Sequence, residues 1–123
     1  MMKITVRSDG FEGYKKRALA RAAKLARREP VRPEMTITFD NPLSMLEVLT
    51  AERIRLCETA RRKSLSISAL ATELNRDPKS VRRDVLKLES AGVVRLHEQI
   101  NPGHGRVRIV EPTAKRFELI ASF

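Results

Sequence analysis

An α+β fold is predicted by three features of this 123-residue sequence. Residues 66–92, SISALATELNRDPKSVRRDVLKLESAG, hold two short helical patterns with almost no chain between them. Residues 93–111 hold two alternating apolar and polar runs around a Pro-Gly-x-Gly loop, the pattern of a β-hairpin. Residues 1–41 read as strand, helix and strand.

In the first of the paired helices, Ile67, Leu70, Ala71 and Leu74 recur at i, i+3, i+4 and i+7, behind Ser66 as a candidate N-cap. Asn75-Arg76-Asp77-Pro78 interrupts the pattern. Asp77 suits the cap of the next helix, and Pro78 suits its first position, where no backbone donor is needed. The second helix, 78–91, buries Val81, Val85 and Leu88, and Gly92 closes it. Two helices joined by so tight a turn must cross steeply, as in a helix-turn-helix.

At 100° per residue, Lys79 and Arg83 lie nearly opposite the Val81/Val85/Leu88 stripe, with Ser80, Arg82 and Lys87 on the flanks. Cations for phosphates and an arginine fork for a guanine edge are what a helix entering the major groove requires. A solvated helix face carries the same charges, so the pattern gains weight from the segment beyond Gly92. There Val94 and Leu96 alternate with Arg95 and His97, and Val107 and Ile109 alternate with Arg106 and Arg108, which predicts a hairpin with one buried face. His104 falls at its tip.

Helix-turn-helix continued directly by a hairpin is the winged-helix pattern. The run ISALATELNRDPKSVRRDVLKLESAGVV resembles bacterial and archaeal winged helix-turn-helix regulators of MarR-like type. It is similar, more narrowly, to small DNA-binding proteins whose second helix reads R-D-x-x-x-V-x-R-D-V-x-x-L-x-x-x-G. In this sequence that run starts at Arg76, has Arg83-Asp84 at its middle and ends at Gly92. The resemblance covers about residues 40–111 and implies a winged helix-turn-helix domain at 42–111, a three-helix core plus a wing. It implies a sequence-specific regulator of transcription, a repressor, reading double-stranded DNA with helix 78–91 and touching the backbone with the wing 93–111. The expected DNA-contacting residues are Ser66, Lys79, Ser80, Arg82, Arg83, Lys87, His104, Arg106 and Arg108. Asp84 is expected to pair locally or to orient Arg83 or Ser80. The resemblance also implies an alternative role, an antitoxin that binds a small toxin protein through residues 1–41 and represses its own operon.

Toward the amino terminus, Ile4-Thr5-Val6 is a short strand and Ser8-Asp9-Gly10 a turn or cap. Residues 11–29 are rich in helix formers, with Phe11, Tyr14, Ala18, Ala22 and Leu25 on one stripe and seven Lys and Arg elsewhere. This basic helix reads as a structural element with a solvated face, an arm gripping phosphates, or a docking surface for another protein. Met35 to Phe39 alternates as a second strand, and Asn41-Pro42 marks a boundary. Residues 43–49 form a short helix, and Thr50 caps a longer one through Arg62 with Ile54, Leu56, Cys57 and Ala60 on its apolar side. Arg61, Arg62 and Lys63 suit the negative end of that helix and can also approach a phosphate backbone. Residues 112–123 are expected to form a C-terminal helix, with Phe117, Ile120 and Phe123 packing on the same subunit or, as the resemblance favours, forming the contact of a homodimer.

Composition narrows the function classes. The net charge of +10 favours a polyanionic partner, while aromatics at 4% leave no stacking platform for single-stranded RNA. A single cysteine and no apolar run of membrane length point to a reduced, cytoplasmic protein with no membrane contact. No Gly-rich phosphate loop, nucleophile elbow or HExxH occurs, and Cys57, His97 and His104 lack metal-site spacing. Neither an enzyme nor a cofactor is expected.

Overall fold

The computed structural model describes residues 3–103 and 105–123. Its elements run β1 (Lys3–Arg7), α1 (Gly10–Ala26), β2 (Thr36–Thr38), α2 (Pro42–Val48), α3 (Ala51–Arg62), β3 (Leu65–Ser66), α4 (Ile67–Leu74), α5 (Pro78–Ser90), β4 (Val94–Asn101), β5 (Gly105–Pro112) and β6 (Arg116–Ile120). They divide into two units, one of Val48–Lys115 and one of residues 3–47 with 116–123.

In the Val48–Lys115 unit each helix starts where the sequence supplies an acceptor. The side chain of Thr50 accepts from the Arg53 amide at 3.3 Å, Ser66 from Ala69 at 3.2 Å, and Asp77 from Ser80 at 3.2 Å. Such caps satisfy amides that have no intrahelical partner. Asn75, in the left-handed region at φ 53, ends α4 and lets the chain reverse into α5 within three residues. Gly92, at φ 83, turns it from α5 into the hairpin. Leu56, Leu70, Val81, Val85 and Leu88 are wholly buried, with Val94 and Val110 at 1% exposure beside them. This aliphatic core joins α3, α4 and α5 to the hairpin.

The sheet of this unit has the antiparallel order β3-β5-β4. The pairing of Leu65 with Val110, and of Val110 with Leu96, corrects the expected faces of the hairpin. Val94, Leu96 and Val110 share one face, and Arg106 and Arg108 lie on that same face farther out. Val107 and Ile109 share the other face with Arg95 and His97. Period-2 alternation shows which residues of one strand go together, but a shift of one residue between strands exchanges the faces. Strand β3, two residues long, is an element that the sequence pattern does not predict.

The second unit has a parallel sheet of order β2-β1-β6. Strand β1 is central, and Ile4, Thr5 and Val6 are all buried. Gly10 must be glycine: its φ is +64, and a Cβ there would stand 3.0 Å from the Asp40 carbonyl. The expected C-terminal helix is absent, and residues 116–120 form β6 instead. A central strand needs hydrogen-bond partners along both edges, and only a strand supplies them. The register sets Phe117 beside Ile4 and Leu119 beside Val6, so the relevant period is two. The three-residue spacing of Phe117, Ile120 and Phe123 makes no packed stripe: Ile120 is 45% exposed and Phe123 fully so. The expected extension at 1–41 therefore shares its sheet with the end of the chain.

Helix α1 meets β2 along its polar edge. The Arg17 guanidinium binds the Asp9 carboxylate and the Thr38 hydroxyl, the latter at 3.3 Å. Gly13 leaves the room that the Asp9 carboxylate occupies. The apolar stripe points outward, with Phe11, Tyr14, Leu19 and Leu25 between 53% and 69% exposed.

Candidate nucleic-acid interface

A buried ion cluster orients α5. Asp84, 4% exposed, accepts from Arg53 Nε at 3.1 Å through one oxygen and from Arg76 Nη2 at 2.8 Å through the other. Arg53 also donates to the Val48 carbonyl at 3.1 Å, and Arg76 reaches Glu52 at 3.4 Å. The carboxylate thus ties α3, the α4–α5 turn and α5 together. Of the alternatives expected from sequence, orienting Arg83 or Ser80 does not occur; one partner, Arg76, is eight residues away and the other, Arg53, lies in α3. Periodicity places residue 84 beside the Val81/Val85/Leu88 stripe, and a carboxylate at such a position has to find buried cations.

The polar residues of the run from Arg76 to Gly92 separate by role. Arg76 binds Asp84, and Asp77 caps α5. Arg83 stays exposed, with no ion-pair partner among the described residues, as do Lys79, Arg82 and Lys87. These four side chains form the outer face of α5. Leu86, 40% exposed, sits among them; it is absent from the residues expected at the interface, although 100° periodicity places it between Lys79 and Arg82. Ser80 is half-buried. Ser66 is half-buried too, its oxygen engaged as the α4 cap and its backbone paired with Ile109.

On the wing, Arg106 donates to Glu98 at 2.9 Å, and Arg108 is exposed with no ion-pair partner among the described residues. Arg95 donates to Glu111 at 3.1 Å and holds that carboxyl below the usual carboxylate range; His97 Nδ1 lies 3.2 Å from the same group. Ile100, 76% exposed, stands near the tip. His104 lies outside the described residues. Behind α4, Lys63 is paired with Glu73 at 2.8 Å, while Arg61 and Arg62 are exposed. The Val48–Lys115 unit carries fourteen Lys and Arg against eight Asp and Glu. Most of its carboxylates face cations within the unit; the cations with no ion pair among the described residues include four on α5, Arg61 and Arg62 at the end of α3, and Arg108 on the wing.

The cysteine belongs to the core. Burial pushes the Cys57 thiol up to about 11, so it stays protonated among apolar neighbours and has little nucleophilic character. Among the described residues no group of three His, Cys, Asp or Glu is placed to hold a metal ion, and no helix is long and apolar enough to cross a membrane.

Three helices with a tight α4–α5 turn, leading into an antiparallel wing, define a winged helix-turn-helix protein. Residues 48–112, just over half of the chain, match the HVO_A0114 family, and the chain belongs to that family. No curated protein sequence matches it. Among solved structures, a possible transcriptional regulator from Methanosarcina mazei Go1 is 22% identical, with a TM-score of 0.47 over 58% of this chain and 68% of that one. The homodimeric winged helix-turn-helix DNA-binding domain of Mb0332 from Mycobacterium bovis, a possible ArsR-family transcriptional regulator, is 13% identical. Its TM-score is also 0.47, over 82% of this chain and 71% of that one.

Proposed function

We propose that this protein is a sequence-specific DNA-binding regulator of transcription, a repressor, that lays α5 in the major groove and its wing on the adjoining backbone. The observation that carries the reading is the outer face of α5. There Lys79, Arg82, Arg83 and Lys87 are exposed, with no ion-pair partner among the described residues, while Asp84 holds the inner face in place. Lys79 and Lys87 suit phosphates, and the Arg82 and Arg83 forks suit guanine edges. Leu86 offers an apolar surface for a thymine methyl. Two copies reading half-sites about 34 Å apart make the natural assembly for a palindromic operator. Enrichment of duplexes from a random pool tests the reading, and recovery of no sequence above background rejects it.

The wing has its own expected result. Replacing Arg106 and Arg108 together with alanine should leave the thermal midpoint unchanged, because both side chains lie beyond the core. It should weaken cognate and random duplexes alike and reduce the salt slope by about one to two units. Unchanged binding to both DNAs would remove the wing from the interface.

One observation favours the antitoxin role as a second reading. Helix α1 turns Arg17 toward β2 and leaves Phe11, Tyr14, Leu19 and Leu25 outside, an apolar surface among Lys and Arg suited to an acidic protein partner. Co-expression with the product of an adjoining small gene tests it. Rescue of growth that disappears when Phe11 and Leu25 become serine supports this reading, and rescue that survives the change rejects it.

A further inference from the structure

We propose that the outer edge of β6 pairs antiparallel with β6 of a second copy, about a two-fold axis through Phe117, joining two three-stranded sheets into one of six. The inference rests on the two-copy assembly proposed for a palindromic operator and names the surface that builds it. In the order β2-β1-β6, β6 is an edge, and among the described residues no strand lies beyond it. Soluble proteins blunt such edges with proline, bulges, very short strands or charged side chains. Strand β2 is short, at three residues, whereas β6 runs for five with neither Pro nor Gly and pairs with β1 residue for residue. Leu119 and Ile120 are each 45% exposed.

The charges on this strand select the partner and the register. A two-fold antiparallel pair sets one residue opposite its own copy, and every other residue i opposite a residue j that meets i in return. With Phe117 at the centre, Arg116 of each copy faces Glu118 of the other, and the two phenylalanines face each other. Centring on Arg116 or Glu118 would set like charges face to face, which destabilises a sheet. Centring on Leu119 would set Glu118 against Ile120 and Arg116 against Ser122, with no ion pair. Within one chain Glu118 already accepts from Arg116, and from Lys3 at 3.4 Å, so its carboxylate is held on the face where the second arginine would arrive.

Sedimentation of the full chain without DNA tests the proposal. The parent should be a dimer. R116E sets four carboxylates on the shared face and E118R sets four guanidiniums there, so each alone should raise the dissociation constant at least ~10-fold. An equimolar mixture of R116E and E118R should restore the dimer, because each carboxylate again meets a guanidinium. A monomeric parent overturns the proposal, as do single variants that stay dimeric or a mixture that stays monomeric. Should either variant fail to fold, hydrogen exchange of the parent decides: the amides of residues 116–120 should gain protection with protein concentration, and concentration-independent exchange overturns the pairing. A monomer that still selects a duplex sequence sinks the interface alone, whereas a dimer that selects none sinks the DNA reading alone.

Discussion

Asp84→Ala is expected to destabilise the Val48–Lys115 unit by about 3–5 kcal/mol, the cost of removing one partner from a buried ion pair. The loss of attraction is the smaller part of that cost. Once the carboxylate is gone, the side chains of Arg53 and Arg76, 15% and 20% exposed, remain largely buried without their shared counter-charge. Arg76 already leaves its buried Nη1 without a partner, so little slack remains to absorb the change. Asp84→Asn keeps an acceptor at the site and should fall between the parent and the alanine variant. Urea denaturation monitored by circular dichroism measures both. A midpoint for Asp84→Ala within error of the parent would show that helix packing alone, without the ion cluster, sets the α3–α5 geometry.

Arg83→Ala should weaken binding of the selected duplex by about 1–3 kcal/mol and relax preference at one base step, because a guanidinium fork on a guanine edge is lost. Random DNA should be affected much less. Lys79→Ala should behave differently, weakening selected and random DNA by similar factors and lowering the salt slope by about one unit, as the loss of a phosphate contact does. Both side chains are exposed, so neither change should move the urea midpoint. Titration of each variant against both DNAs at several salt concentrations separates the roles. Parental affinity in both variants would exclude α5 as the reading helix.

Asp84 is buried and Arg83, 100° around the same helix, is exposed, and the sequence reveals the two faces unequally. The exposed side is legible because Val81, Val85 and Leu88 are apolar at helical spacing, which leaves Lys79 and Arg83 opposite by geometry alone. The inner side is legible only in part. Asp84 shares that face, but its partners come from residues 31 and 8 positions away. Only packing α3 and the α4–α5 turn against α5 brings those two arginines to one carboxylate. The hairpin shows the same division, since alternation marks both strands while the pairing of Leu96 with Val110 decides which arginines share the inner face.

What the sequence determined by itself is local: the caps at Thr50, Ser66 and Asp77, the left-handed turn at Gly92, and the helical and alternating stripes. Each depends on residues a few positions apart, so composition and spacing suffice. Tertiary structure decided what depends on distant partners. Residues 116–120 have no strong preference of their own, and a three-residue spacing of apolar side chains suggests a helix. They form a strand because β1, buried at Ile4, Thr5 and Val6, needs hydrogen-bond partners along its second edge. Helix α1 gives the converse case. Its stripe is legible, but only the fold shows Arg17 reaching toward β2, where Asp9 and Thr38 meet a cation that an apolar side chain could not replace.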